Sequence, residues 1–230
     1  MASPLVVLDL DGTLVDTAPD LVATLNVVLA RERLPPVDYE AARNLVGGGA
    51  RLMVERGFVA AGRAMPAAAI DGLTSDFLEY YAEHIADSSA PFPGVEAALD
   101  TLAERGYRLA VCTNKIERLS VLLLDALGLS KRFAAICGAD TFGVIKPDPE
   151  ILRRTIARAD GEGAVMVGDS LVDIATARAA QIPVIAVDFG YTDTPVVELA
   201  PDRIISHFTD LPEAVSALIG RPGREFSANS

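Results

Sequence analysis

The sequence predicts an α/β fold, a doubly wound parallel sheet (Rossmann-like core) with an inserted small α-helical cap domain. From Phe92 onward, short β-rich runs alternate with amphipathic helical segments. An apolar run at residues 5–8 has the same β-rich character, whereas residues 16–90 show helical patterns and no convincing strand. Because strands separated by helices pair in parallel through right-handed crossovers, we expect the first strand to join the later ones.

The individual elements follow from hydrophobic periodicity. After the first strand, Leu21, Leu25, Val28 and Leu29 form one face of a helix, and helical patterns continue over 50–61 and 66–86. The segment SSAPFPG at 88–94 is the expected return to the sheet. The later strands are predicted at 108–113, 134–138, 164–168, 183–188 and, weakly, 203–206, and the helices near 95–105, 117–127, 148–158, 172–180 and 211–219. The predicted division is a core of 1–15 with 91–220, a helical cap of 16–90 and a disordered tail of 221–230.

Composition narrows the classes of function. The chain has 230 residues, 50% of them hydrophobic, and a net charge of −12 at pH 7. Binding to nucleic acid relies on clustered Lys and Arg, which we do not find, so we expect no nucleic-acid partner. No apolar run reaches the roughly 18 residues of a membrane span, and MASPLVV lacks the features of a signal peptide. Two cysteines in apolar stretches suit a reducing compartment, so we expect a cytoplasmic protein. We also expect a monomer or homodimer with no membrane partner.

Polar side chains interrupt the apolar pattern just after the predicted strands. Because the carboxyl ends of parallel strands meet at one edge of a sheet, where ligands bind, we expect these side chains to converge. Two of them, in LVVLDLDGTL, stand one residue apart at the end of a buried strand. The set comprises Asp9, Asp11, Thr113, Asn114, Lys146, Asp169 and Asp173.

The chemistry of this set favours a phosphorylated ligand. Like charges about 4 Å apart cost on the order of 4 kcal/mol per pair at an effective dielectric constant near 20, so four carboxylates require a cation. Carboxylates without His or Cys select a hard ion, and Mg²⁺ retains water and takes a substrate phosphate oxygen. Lys146 adds a second positive charge, and the Thr113 hydroxyl can donate to a phosphoryl oxygen. The sequence therefore predicts a receptor for a small phosphorylated metabolite.

The motifs DLDGTLVDT, CTN, a Lys-Pro pair and GDSLVD, in this order, resemble the four motifs of the haloacid dehalogenase-like superfamily in its Mg²⁺-dependent phosphatase branch. The resemblance implies that Asp9 is the nucleophile that forms an aspartyl-phosphate and that Asp11 is the general acid and base. It also implies that Thr113 and Lys146 hold the phosphoryl group, with Asn114 beside them. The implied Mg²⁺ ligands are Asp9, the backbone carbonyl of Asp11, Asp169 and, in support, Asp173.

The same resemblance assigns residues 16–90 to a cap that closes over the site and selects the leaving group. Within it, LVGGGARL at 45–52 resembles a Val-Gly-x-Gly segment typical of phosphoglycolate phosphatases. We expect Gly47 and Gly48 to offer backbone amides to a small carboxylate and Arg51 or Arg43 to add a positive charge. A turn between two helices explains the glycines equally well. Asp16 is expected to cap the first cap helix, with a position lining the cleft as the alternative.

The sequence hypothesis is a Mg²⁺-dependent phosphomonoesterase with 2-phosphoglycolate as the leading substrate. The presence of Asp11 favours phosphoryl transfer over halide displacement, since dehalogenases of the superfamily lack an aspartate there. Three alternatives stay open. They are a β-phosphoglucomutase-like phosphosugar mutase, a phosphatase for sugar phosphates, pyrophosphate or nucleotides, and a catalytically silent phosphate-binding regulator.

Overall fold

The computed structural model describes residues 3–192 and 194–222. The disorder expected for the tail concerns residues that, from 223 onward, lie outside the described part of the chain. Among the described residues, no helix combines the length and the apolar character that crossing a membrane requires. Both cysteines are buried and free.

A six-stranded, entirely parallel sheet forms the centre of the molecule, with the strand order β5-β4-β1-β6-β7-β8. The strands are β1 (Ser3–Leu8), β4 (Arg108–Cys112), β5 (Ala135–Cys137), β6 (Gly161–Gly168), β7 (Val184–Val187) and β8 (Arg203–Ile205). The crossover helices are α5 (Val95–Glu104), α6 (Glu117–Ala126), α7 (Pro149–Arg158) and α8 (Leu171–Ala180), and α9 (Leu211–Ile219) follows β8. The predicted fold class is confirmed.

Strand β1 lies between β4 and β6 and is buried on both faces. Its side chains alternate, with Val6 and Leu8 in one apolar cluster and Leu5 and Val7 in the other, as the period of two in a strand requires. The chain leaves β1 toward β4 on one side and returns to β6 on the other. The carboxyl end of β1 is therefore the switch point at which ligands bind in such sheets.

A helical segment follows β1 and contains α1 (Ala18–Arg31), α2 (Tyr39–Arg43), α3 (Ala50–Ala60) and α4 (Ala67–Glu83). It is bounded by a ribbon of two antiparallel strands, β2 (Val15–Asp16) and β3 (Ala90–Pro91). The ribbon and α2 are absent from the sequence prediction because two to five residues carry no measurable periodicity. The apolar faces of α1, α3 and α4 belong to the same cluster as one face of the sheet.

Buried polar contacts hold the base of this helical segment. The Asp20 carboxylate accepts hydrogen bonds from the backbone amides of Ser88 and Ser89 and from the Ser89 hydroxyl. These bonds join the start of α1 to the return segment. The capping role expected for Asp16 is wrong. Thr17 precedes α1 without a side-chain cap, and Asp16 instead accepts a hydrogen bond from the Tyr191 hydroxyl.

Candidate active site

Three buried carboxylates converge at the carboxyl edge of the sheet. Asp9 follows β1, Asp169 follows β6, and Asp173 lies in the first turn of α8, with oxygens of all three within 4.8 Å of one another. Two glycines make room for them. A Cβ atom on Gly190 would lie 2.2 Å from the Asp169 Cβ, and one on Gly168 would lie 2.3 Å from the Asp173 Cβ. The structure thus brings these predicted residues into one cluster.

Lys146 supplies a positive charge inside this cluster. Its Nζ lies 2.8 Å from Asp9 Oδ1 and donates a hydrogen bond of 2.6 Å to Asp173 Oδ1. The Asn114 side chain holds the Lys146 backbone, because its Oδ1 accepts from the Lys146 amide and its Nδ2 donates to the Lys146 carbonyl. Asn114 therefore positions Lys146. The substrate contact predicted for Asn114 stays a prediction.

The other two carboxylates are oriented by local hydrogen bonds. Asp169 accepts from the Tyr191 amide at 2.7 Å and from the Thr13 hydroxyl at 3.1 Å. Asp173 and Ser170 form a capping box at the start of α8, in which the Ser170 hydroxyl donates to Asp173 Oδ2. Both oxygens of Asp169 and both oxygens of Asp173 therefore accept hydrogen bonds from the protein, which holds the cluster in a defined geometry.

Burial raises the pKa of Asp9 to about 8, since the Lys146 charge that lowers it is opposed by Asp173 and Asp169. Burial also raises the pKa of Asp169 to about 7, reinforced by Asp173. For Lys146, burial alone would lower the pKa, but Asp173 and Asp9 outweigh it and the pKa lies above its usual value. Lys146 contacts two of the three carboxylates, so the cluster would carry an excess of negative charge with all three ionised.

The donor set fits a hard divalent cation. Asp9 Oδ1 is buried and accepts no hydrogen bond from the described residues, although the Lys146 ammonium lies close by. The cluster of Asp9, Asp169 and Asp173 offers only carboxylate oxygens. Such oxygens suit a cation like Mg²⁺, which would balance the excess charge.

This cluster predicts an inverse dependence of stability on pH in the metal-free protein. In the folded protein, the pKa values of Asp9 and Asp169 lie above the usual aspartate value of 3.8, so both side chains bind protons more tightly than in the unfolded chain. The folded state therefore holds more protons than the unfolded chain between about pH 4 and pH 8, and the unfolding free energy falls as pH rises. In EDTA, the melting temperature is expected to be lower at roughly pH 8 than at roughly pH 5.5.

The matched measurement uses saturating Mg²⁺, which should reduce the slope because the cation favours the ionised carboxylates. A melting temperature in EDTA that rises across this pH range would contradict the assigned pKa directions.

A second ion pair lies beside the cluster and involves a residue that the sequence reasoning missed. Lys115 Nζ donates to Asp11 Oδ1 at 2.8 Å, and the Thr17 hydroxyl donates to the same oxygen. Burial would lower the pKa of Lys115, but the Asp11 carboxylate outweighs it, and the pKa is raised. One signal was available in the sequence. The chain has only three lysines, and Lys115 directly follows Thr113 and Asn114.

A cavity of about 260 Å³ lies between the carboxyl edge of the sheet and the helical segment. Gly47 and Gly48 line it, and Gly49 precedes α3 without a side-chain cap, so backbone amides at this helix start lie at the cavity. Arg51 also lines it, but its side chain is half exposed and forms ion pairs with Glu55 and Asp71. The substrate contacts predicted for Gly47, Gly48 and Arg51 stay predictions. Asp9, Asp11, Thr113 and Asn114 line the opposite wall.

Arg43 has a different environment from the one expected. Its guanidinium donates to the carbonyls of Phe189 and Gly190 and lies 5.3 Å from the centroid of the Tyr191 ring. Arg43 therefore joins α2 to the loop after β7, and it does not line the cavity.

The sheet, the carboxylate cluster and the inserted helices define a class of hydrolases. The family model for haloacid dehalogenase-like hydrolases matches residues 6–187. The chain belongs to this family.

Curated relatives give a finer comparison. A protein of Mesorhizobium japonicum named phosphoglycolate phosphatase is 51% identical over 213 residues, covering 92% of this chain and 94% of that protein. A Caulobacter vibrioides protein of the same name is 48% identical, covering 92% of this chain and 90% of the relative. Among solved structures, a protein from Haemophilus somnus described as a predicted phosphoglycolate phosphatase superposes with a TM-score of 0.82 at 28% identity, covering 92% of this chain and 97% of that one.

Proposed function

We propose that this protein is a Mg²⁺-dependent phosphatase that hydrolyses 2-phosphoglycolate through an aspartyl-phosphate intermediate. The observation that carries the proposal is the buried contact of Asp9 with Lys146, next to the carboxylates of Asp169 and Asp173. Membership of the hydrolase family and the names of the curated relatives support both the reaction and the substrate.

In the first step, a carboxylate oxygen of Asp9 attacks phosphorus while the bond between phosphorus and the ester oxygen breaks. Asp11 gives a proton to the departing alkoxide. Lys146 lies beside the attacking oxygen and offsets the negative charge that the phosphoryl group brings. In the second step, water attacks the aspartyl-phosphate, Asp11 takes a proton from it, and inorganic phosphate leaves while Asp9 is regenerated.

Asp9, Asp169 and the backbone carbonyl of Asp11 would hold the metal ion, with Asp173 in support. The bound Mg²⁺ would supply positive charge that offsets the negative charge of the phosphoryl oxygens. Thr113 lies at the cavity wall, where its hydroxyl would donate to a phosphoryl oxygen. The helical segment between β2 and β3 acts as a cap that excludes bulk water from the cavity. The protein works in the cytoplasm as a monomer or homodimer on a small phosphorylated metabolite.

A panel of phosphoesters tests this function. With purified protein and Mg²⁺, phosphate release is expected to have its highest kcat/KM on 2-phosphoglycolate, exceeding that on sugar phosphates, pyrophosphate and nucleoside monophosphates by at least about tenfold. A matched incubation without Mg²⁺ and with EDTA should release no phosphate above background.

Other outcomes distinguish the alternatives. A profile that favours a sugar phosphate would remove the substrate while leaving the reaction in place. Conversion of β-glucose 1-phosphate to the 6-phosphate without free phosphate would replace the phosphatase by a mutase. Release from no phosphoester, together with binding of phosphate, would indicate the silent regulator.

A further inference from the structure

Lys115 is set apart by its burial and its surroundings. Only three lysines occur among the 20 basic residues of the chain, and two of them, Lys115 and Lys146, are buried at this site. Lys146 is committed to the cluster around Asp9, with two carboxylates within 2.8 Å. Lys115 has one carboxylate contact, to Asp11, although its ammonium has three hydrogens to donate. Lys115 also lines the cavity.

Tyr81 brings a second donor to the same place. This α4 residue is 1% exposed, its ring lies 4.6 Å from Lys115 Nζ, and it lines the cavity. Its hydroxyl makes no hydrogen bond with the described residues. A buried hydroxyl without a partner costs free energy, so it marks a position where a ligand acceptor would be stabilising.

The position of Lys115 relative to the reacting groups limits what it can bind. The ammonium donates to Asp11, the residue that would protonate the leaving oxygen, and therefore lies at the leaving-group side of the cavity. In 2-phosphoglycolate, one methylene group separates the ester oxygen from the carboxylate. Because the Lys115 ammonium is hydrogen-bonded to Asp11, the proton donor, it lies where it can bind a carboxylate that is one methylene group away from the ester oxygen.

The other cation at the cavity has a weaker claim. Arg51 is half exposed and is already paired with Asp71 at 2.9 Å and Glu55 at 3.6 Å. Solvent screens an interaction made at such a position, whereas a charge-assisted hydrogen bond made by a buried ammonium is stronger.

We infer that Lys115 and the Tyr81 hydroxyl bind the carboxylate of the substrate's leaving group and so select short phosphorylated carboxylic acids. In this arrangement the substrate carboxylate accepts hydrogen bonds from both donors. Lys115 either keeps its hydrogen bond to Asp11 or replaces it with the hydrogen bond to the substrate. The inference rests on the proposed phosphatase function and assigns its specificity to one residue from the core and one from α4.

The test compares 2-phosphoglycolate with ethyl phosphate, which lacks the carboxylate. For Lys115→Met, the ratio of the two kcat/KM values is expected to fall at least about 30-fold, with most of the change in KM for 2-phosphoglycolate. For Tyr81→Phe, the expected fall is about fivefold, and thermal stability should be unchanged or higher because the lost hydroxyl has no partner in the described chain. Lys115→Arg should retain part of the selectivity.

Lys131→Met is the matched control, since Lys131 is exposed and does not line the cavity. It should leave both rates unchanged. An equal loss on both substrates in Lys115→Met would show that Lys115 acts only through Asp11 and would overturn the inference, as would an unchanged ratio. Loss of selectivity in Arg51→Met alone would make Arg51 the anchor instead. A wild-type enzyme without preference for 2-phosphoglycolate would refute the proposed function itself, which separates the two failures.

Discussion

Asp9→Asn is expected to abolish phosphate release, with kcat reduced at least about 10⁴-fold, because the neutral amide cannot attack phosphorus. The fold should be retained. Burial and the neighbouring carboxylates raise the pKa of Asp9, so removing its charge relieves repulsion from Asp169 and Asp173. The melting temperature in EDTA is therefore expected to equal or exceed that of the wild type.

Phosphate release and a phosphoenzyme trap measure this prediction together. The wild-type protein quenched in acid during turnover should carry one phosphoryl group on the peptide that contains Asp9, and the variant should carry none. Asp76→Asn is the matched control, since Asp76 is an exposed aspartate on α4. Residual activity above about one hundredth of wild type, with no phosphoryl group on Asp9 in the wild type, would reject Asp9 as nucleophile.

Lys146→Met is expected to have the largest effect on stability. It leaves Asp9 and Asp173 buried without their shared ammonium, and loss of one partner from a buried ion pair costs about 3–5 kcal/mol. That range corresponds to a fall of roughly 10 °C in melting temperature for a chain of this size. Activity should fall at least about 10³-fold, since the charge that stabilises the transferring phosphoryl group is lost.

Urea denaturation in EDTA and in saturating Mg²⁺ tests the electrostatic cause. Mg²⁺ should recover more stability in Lys146→Met than in the wild type, because the cation replaces the missing positive charge. Lys131→Met serves again as the surface control and should unfold like the wild type. If Lys146→Met matched the wild type in EDTA, the buried carboxylates would not depend on this ammonium, and the assigned electrostatics would be wrong.

The sequence predicted the sheet and the location of the site because both depend on local patterns. The apolar run of β1 and the two aspartates that follow it indicate a buried strand that ends at a polar edge of the sheet. The strands that precede Thr113 and Asp169 have the same form. The helix predicted near 148–158 begins as expected, because the Asp148 side chain accepts a hydrogen bond from the Glu150 amide at the start of α7.

Other features had no local signature. Lys115 meets Asp11 across 104 positions of sequence, and no spacing rule relates two such residues. Asp16 is predicted to cap the helix that follows it, but it accepts a hydrogen bond from the hydroxyl of Tyr191, 175 positions later in the sequence. Arg51 forms ion pairs with Glu55, one helical turn away, and with Asp71 on the next helix. The glycines that precede Arg51 in the sequence indicate neither partner.

By itself, the sequence determined the parallel α/β class, the inserted helices and the set of carboxylates with Lys146 at the strand ends. Hydrophobic periodicity and the polar residues at strand ends involve residues that are neighbours in the sequence. Because the hydrophobic effect buries one face of each element, apolar and polar side chains follow a regular order along the chain. Only the tertiary structure decided which ammonium faces which carboxylate and placed the Tyr81 ring against Lys115. Those contacts depend on how distant segments cross in three dimensions, and Coulomb interactions act over a few ångströms whatever the separation along the chain.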